Sequence, residues 1–121
     1  MKRPDRFTFR SSERLRSRKD IQQLFTKGNK SLLAYPLRAV IAPSGKDGVS
    51  ILISVSKRHF KRAVKRNRVK RQIREAYRTS KALLDGCDRL NIAFLWLSDE
   101  LLPTEIVRQK VRNLLIRCAE S

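Results

Sequence analysis

An α+β fold, a small mostly antiparallel sheet packed with helices, follows from three observations. Residues 37–42 (LRAVIA) and 49–56 (VSILISVS) are short, apolar and rich in β-branched side chains, and PSGKDG at 43–48 separates them with turn formers. Residues 90–97 (LNIAFLWL) form a third short apolar run. Residues 61–78 and the segment opened by Pro103 place their apolar side chains at helical spacing. Helices interspersed with a few strands build two packed layers around one core. The expected order is α-β-β-(β)-α-β-α in a two-layer sandwich, and 121 residues make one domain.

Residues 1–16 carry no clean period and read as a flexible basic N-terminal tail of the single domain. In RKDIQQLFTKG, Ile21, Leu24 and Phe25 fall on one helical face, Ser17 and Asp20 resemble a capping box, and Gly28 is a natural stop. Residues 31–36 add strand length or a further edge piece. The runs 37–42 and 49–56 read as a hairpin. The next helix starts between Arg58 and Ala63 and ends near Tyr77. At about 1.5 Å per residue it spans roughly 25–30 Å. Wound at about 100° per residue, it puts Val69, Ile73, Ala76 and Tyr77 on one face and Asn67, Arg68, Lys70, Arg71, Arg74 and Arg78 around the other. DGCD at 85–88 is a loop, and 90–97 is a buried strand. Pro103 opens the last helix, with Ile106, Val107, Val111, Leu114 and Leu115 as its apolar stripe.

Charge decides the class of partner. The chain has 29 Lys and Arg against 11 Asp and Glu, a net charge of +18. Residues 57–78 alone hold eleven cations and one acid, Glu75, and residues 1–30 hold ten cations. The rest is nearly balanced. So large a surplus repels itself unless a polyanion neutralises it. Nucleic acid fits better than an anionic membrane, because the basic helix needs its small apolar face for the core rather than for insertion. No apolar run approaches a membrane span and no signal-peptide pattern opens the chain, so the expectation is a soluble, cytoplasmic protein. Cys87 and Cys118 lack metal-ligand spacing and read as ordinary thiols, with a disulfide the alternative.

Protein-based catalysis has little to work with. His59 is the one histidine, and the adjacent acids Asp99 and Glu100 do not converge. No catalytic or metal-ligating residue is therefore expected. Binding is well supplied: Lys and Arg neutralise phosphate, Arg adds planar bidentate contacts, and an amide such as Asn67 can take a base edge or sugar hydroxyl. A solvated helix face would mix Glu with Lys; this one has almost no acids. Basic-zipper DNA binders follow their basic region with a long leucine heptad, whereas here a strand follows, which favours RNA read by shape. Phe25 is either a stacking surface for a single strand or part of the core.

The stretch SVSKRHFKRAVKRNRVKRQIREAYR, residues 54–78, resembles the protein component of bacterial ribonuclease P. That family joins a strand ending in Val-Ser-Lys to a helix carrying Ala-Val, Arg-Asn-Arg, Lys-Arg and Arg-Glu. Here these are Val55-Ser56-Lys57, Ala63-Val64, Arg66-Asn67-Arg68, Lys70-Arg71 and Arg74-Glu75. RLRSRKDIQQLFTKG at 14–28 is similar to the family's first helix, and Asp88 before the last strand also matches. Departures are Lys61 in place of the usual glycine and Ile21 in place of phenylalanine. There is also no tyrosine in LRAVIA and no arginine in AFLWL.

The resemblance implies a βαβ crossover of the rare left-handed type around the basic helix, against the strong right-handed default. It implies a ribonucleoprotein endoribonuclease in which a catalytic RNA and its Mg²⁺ remove the 5′ leader of precursor tRNA while the protein assists. The RNA-binding set would be Lys57, Arg58, Lys61, Arg62, Lys65, Arg66, Asn67, Arg68, Lys70, Arg71 and Arg74. The 5′-leader set would be Phe25, Ile21 and Lys57, in a cleft between the first helix and the sheet. Partners would be the catalytic RNA and the precursor-tRNA leader, with no DNA and no membrane. Mg²⁺ would be bound mainly by the RNA and substrate. The alternative is a structural or chaperone RNA-binding protein of ribosomal type, and a DNA-binding regulator is a weaker third.

Overall fold

The computed structural model describes residues 18–25, 29–44, 48–84, 86–87 and 89–120. The basic tail, Ser17, Gly28, Asp85 and Asp88 lie outside the described residues. The elements run α1 (Arg18–Leu24), β1 (Lys30–Ala34), β2 (Leu37–Pro43), β3 (Val49–Ser54), α2 (Ala63–Ser80), β4 (Leu90–Trp96) and α3 (Thr104–Glu120). A 3-10 turn, Lys81–Leu84, follows α2, so the basic helix runs one turn past Tyr77 before it tightens. Residues 31–36 resolve into the edge strand β1 and the turn that joins it to β2.

The four strands lie in the order β1-β2-β4-β3. β1 pairs antiparallel with β2, β2 antiparallel with β4, and β3 parallel with β4. The expected hairpin between 37–42 and 49–56 does not form: β2 and β3 run in opposite directions, but β4 lies between them. Turn residues at 43–48 mark the reversal of the chain without deciding which strand becomes the neighbour. Burial decides that. Asn91, Ile92, Ala93, Phe94 and Trp96 of β4 are all buried, and a strand covered on both faces belongs in the interior of a sheet. β3 exposes Ser54 and half-exposes Ser50, as an edge strand can. The β3–α2–β4 connection is the crossover that the resemblance implies, and it hangs the basic helix from two neighbouring parallel strands.

Alternation sorts the strand residues onto two faces. Leu37, Ala39, Ile41, Ile51, Ile92, Phe94 and Trp96 face α2 and α3, where they meet Val69, Ile73, Ala76, Tyr77, Val107, Val111, Leu114 and Leu115 in one core. This is the two-layer body. The opposite face offers Val40, Ala42 and Ala93 to Leu24 of the short α1, with Ile21, Leu52 and Leu95 packed alongside. Two polar ties fix the helices. Gln72 donates from Nε2 to Leu102 O (3.0 Å) and Thr104 Oγ1 (3.1 Å), binding α2 to the start of α3. Arg117 donates from Nη1 to Leu33 O at 2.7 Å, binding α3 to the edge strand β1.

Candidate RNA interface

The interface starts in the turn that delivers the chain from β3 to α2. Ser56 organises it: its Oγ accepts from Arg58 N (3.0 Å), and its carbonyl accepts from His59 N (3.1 Å) and Phe60 N (3.3 Å). Phe60 is buried and anchors the turn in the main core. Arg66, one turn into the helix, reaches back and donates from Nη1 to Phe60 O and Lys61 O, both at 2.8 Å. Of the expected RNA-facing residues, Arg66 is thus the one committed to the backbone. Its guanidinium clamps the turn at the position where the family's glycine is replaced by Lys61.

The others present their charge outward. Lys57, Arg58, Lys61, Arg62, Lys65, Asn67, Arg68 and Arg71 are exposed, while Lys70 and Arg74 are half-buried. The apolar face is the expected one, Val69, Ile73, Ala76 and Tyr77, all buried. Gln72 is buried with them, a polar core position that the periodicity did not mark, because its amide serves the α2–α3 joint.

Little in the segment offsets this charge. The first turn of α2 has no acid, and Arg62 at its N-cap makes no side-chain cap, so the helix dipole's positive end adds to the cations. Glu75 is taken by Arg78, Nε to Oε2 at 2.9 Å and Nη2 to Oε1 at 3.0 Å. The hydrogen bond from Arg78 holds the Glu75 carboxyl below its ordinary pKa. Neighbouring cations on one helix face lie about 5–6 Å apart. Each such pair repels by about 0.7 kcal/mol in water before screening. A polyanion laid along the helix turns that repulsion into attraction.

The smaller face holds the other expected site. Ile21 is packed on the α1 cluster and helps seat the helix. Phe25 is 54% exposed, so of the two readings of this ring the core is excluded. Lys57 belongs to the turn after β3, exposed; the three expected leader residues come from two elements.

Sequence reasoning missed two features. His59 Nδ1 lies 2.6 Å from Asp99 Oδ1; an ionised carboxylate only accepts, so the ring donates. The pair spans 40 residues, and no local spacing announces it. Tyr35 and Leu33 are 61% and 48% exposed. The Tyr-Pro dipeptide in a turn was the available signal for Tyr35.

A compact α+β body whose longest basic helix spends only one face on the core, with most of its cations unneutralised, defines a nucleic-acid-binding protein. The comparisons make this particular. Residues 9–119 match the model of the family described as Ribonuclease P. The chain is 42% identical over 127 residues to the ribonuclease P protein component of Porphyromonas gingivalis, covering 98% of this chain and 92% of that protein. It is 37% identical over 113 residues to that of Thermotoga maritima, covering 91% and 95%. The solved RNase P protein from Thermotoga maritima superposes with a TM-score of 0.73 at 30% identity, over 87% of this chain and 96% of that one. The RNase P protein of Staphylococcus aureus, at 22% identity and TM-score 0.73, shares the fold. The chain belongs to the ribonuclease P protein component family, the tRNA-processing protein subunit of an endoribonuclease complex with RNA as a partner.

Proposed function

We propose that this chain docks on the catalytic RNA of ribonuclease P through α2 and the turn before it, and helps that RNA bind precursor tRNA and remove its 5′ leader. The observation that carries the reading is the cationic surface of residues 57–74, which contains no acid and stands on a helix whose apolar face is packed in the core. Arg68 and Arg71 contact phosphates, Asn67 takes a sugar or base edge, and Arg66 keeps the turn in shape beneath them. Phe25 and Lys57 contact the leader.

The phosphodiester hydrolysis belongs to the RNA and Mg²⁺. Mg²⁺ requires near-octahedral oxygen ligands. Among the described residues no group of three His, Cys, Asp or Glu comes together, so those residues build no protein cage for the ion. RNA phosphates supply the ligands instead, and the cations of α2 reduce the phosphate repulsion that Mg²⁺ alone would otherwise have to screen. The place of work is the cytoplasm, where precursor tRNA is made in bacteria; among the described residues no helix is long and apolar enough to cross a membrane.

Competition binding tests the reading. Ribonuclease P RNA should displace labelled RNA from the protein far better than duplex DNA of equal length at equal salt, with affinity falling steeply as salt rises. Equal competition by duplex DNA would support the DNA-regulator reading instead.

A further inference from the structure

Asp99 reaches into the cationic turn before α2 from the loop that joins β4 to α3. Its Oδ1 accepts from His59 Nδ1 at 2.6 Å, across 40 residues of sequence. Both sides of the contact are held in place. The backbone of His59 donates to Ser56 O at 3.1 Å, and buried Phe60 pins the next position in the core. In the loop, buried Ser98 accepts from Glu100 N at 3.0 Å, and Gln72 holds Leu102 O and Thr104. The His59 side chain is 19% exposed and that of Asp99 76%. The pair therefore stands at the surface, in the turn that carries exposed Lys57, Arg58, Lys61 and Arg62. Among the described residues the ring has Asp99 as its side-chain partner, at Nδ1, and Nε2 has none.

The two ring nitrogens have separate work. Asp99 holds a proton on Nδ1, because an ionised carboxylate can only accept. In the neutral ring Nε2 is then a lone pair, which a phosphate repels. In the imidazolium Nε2 is a donor, and a phosphate accepts from it in a charge-assisted bond. Histidine is the side chain that ordinarily makes this change between about pH 5 and 8. The charged groups around the ring divide. Lys57, Arg58, Lys61 and Arg62 of the turn disfavour a further positive charge, as does Arg66 of α2, whose guanidinium lies on the Phe60 and Lys61 carbonyls. Asp99 and its neighbour Glu100, from the loop, favour it. An RNA phosphate adds to the second group and neutralises the first. We propose that His59, aimed by Asp99, is a proton-dependent phosphate contact: its Nε2 donates to RNA docked on α2 only when the ring is charged. Binding then takes up a proton from solvent and weakens as pH rises. His59 is the binding group, and Asp99 is a positioning residue, since it acts through the ring. This rests on the proposed function.

The test is binding of the full chain to ribonuclease P RNA at fixed ionic strength, from about pH 5.5 to about pH 8.5, which spans the ordinary histidine range. His59→Phe keeps a ring in place and removes both nitrogens. The wild type should bind about tenfold more tightly than His59→Phe at the acid end and equally at the alkaline end. The ratio of the two cancels any titration of the RNA itself. In Asp99→Asn the carboxamide can donate to Nδ1, which frees the neutral tautomer that carries its proton on Nε2. That variant should therefore bind more tightly than the wild type at the alkaline end and depend less on pH. Parallel profiles for wild type and His59→Phe overturn the proposal, whether they coincide or stand apart, since a ring that only braces the turn loses nothing as pH rises. A profile of Asp99→Asn parallel to the wild type overturns the aiming role, because a simple gain of positive charge moves the whole curve. Should the wild-type protein not bind ribonuclease P RNA at all, the proposed function falls. The contact is then decided with a short duplex RNA added to the nitrogen-15-labelled protein near neutral pH. His59 is the one histidine of the chain, so its ring nitrogens are read without ambiguity. Movement toward the imidazolium positions upholds the contact, and a ring that does not move overturns it.

Discussion

Arg66 and Arg71 sit five residues apart on the same basic helix, yet the structure gives them different work, and substitution separates the two roles. Arg66 donates two hydrogen bonds to the carbonyls of Phe60 and Lys61 at 2.8 Å, one part-buried and one exposed. A charge-assisted bond contributes about 1.5–3 kcal/mol when sheltered and less when water can replace it. Taking about 1 kcal/mol for the first and about 0.5 kcal/mol for the second, Arg66→Ala should cost about 1.5 kcal/mol. Unfolding entropy near 2.1 cal/mol/K per residue over about 100 residues converts this into a Tm lower by about 7 °C. Arg66→Lys keeps the charge but not the reach, so it should lose most of the stability while leaving the salt dependence of RNA binding intact. Arg71→Ala removes an exposed cation, so stability should change by about 0.5 kcal/mol or less while the salt slope falls by about one. The assay pairs differential scanning calorimetry with RNA binding over a salt series. Melting of Arg66→Ala at the wild-type temperature would show that the clamp contributes nothing and that Arg66 is a free RNA contact.

Other substitutions probe the scaffold and the thiols. Ile73→Ala opens a cavity in the fully buried face of α2 and should cost about 2–5 kcal/mol in a denaturant titration. Gln72→Ala leaves Leu102 O without its donor and should cost about 1–3 kcal/mol, with α3 amides losing hydrogen-exchange protection first. Burial, with a smaller contribution from Cys87, pushes the Cys118 thiol from its ordinary 9.0 up to about 11. A folded value above the unfolded one means its contribution is whole below pH 9.0 and is lost as pH rises through about 11. Cys118→Val should flatten that part of the stability–pH curve. At about pH 8, iodoacetamide should label half-exposed Cys87 and spare Cys118 until the protein unfolds, as read by mass spectrometry.

The sequence made legible whatever depends on period and composition. Helical spacing named Val69, Ile73, Ala76 and Tyr77 as the buried face and placed the cations opposite, because both follow from winding alone. The apolar run at 90–97 announced a buried strand for the same reason. Sheet order was not legible: the turn at 43–48 reverses the chain, but only the two-sided burial of β4 puts that strand between β2 and β3. Register was equally hidden: it sets Leu33 opposite Arg38, Arg38 opposite Leu95 and Leu95 opposite Ser54 across four separate strands, and no local spacing announces it. The clamp by Arg66 was hidden by its neighbours, since one arginine among nine Lys and Arg in residues 61–78 carries no mark of which carbonyl it reaches. Phe25 stood between two readings because helical spacing puts it beside Leu24. The structure gives Leu24 the core and Phe25 the solvent.

The most direct measurement is cleavage of labelled precursor tRNA by ribonuclease P RNA at low Mg²⁺, with and without this protein. The account predicts cutting at the mature 5′ end only when the protein is present, with the requirement relaxed as Mg²⁺ is raised, because added ions take over the screening that α2 supplies. Tight RNA binding with no stimulation of cleavage at any Mg²⁺ concentration would contradict it and leave a structural RNA-binding protein.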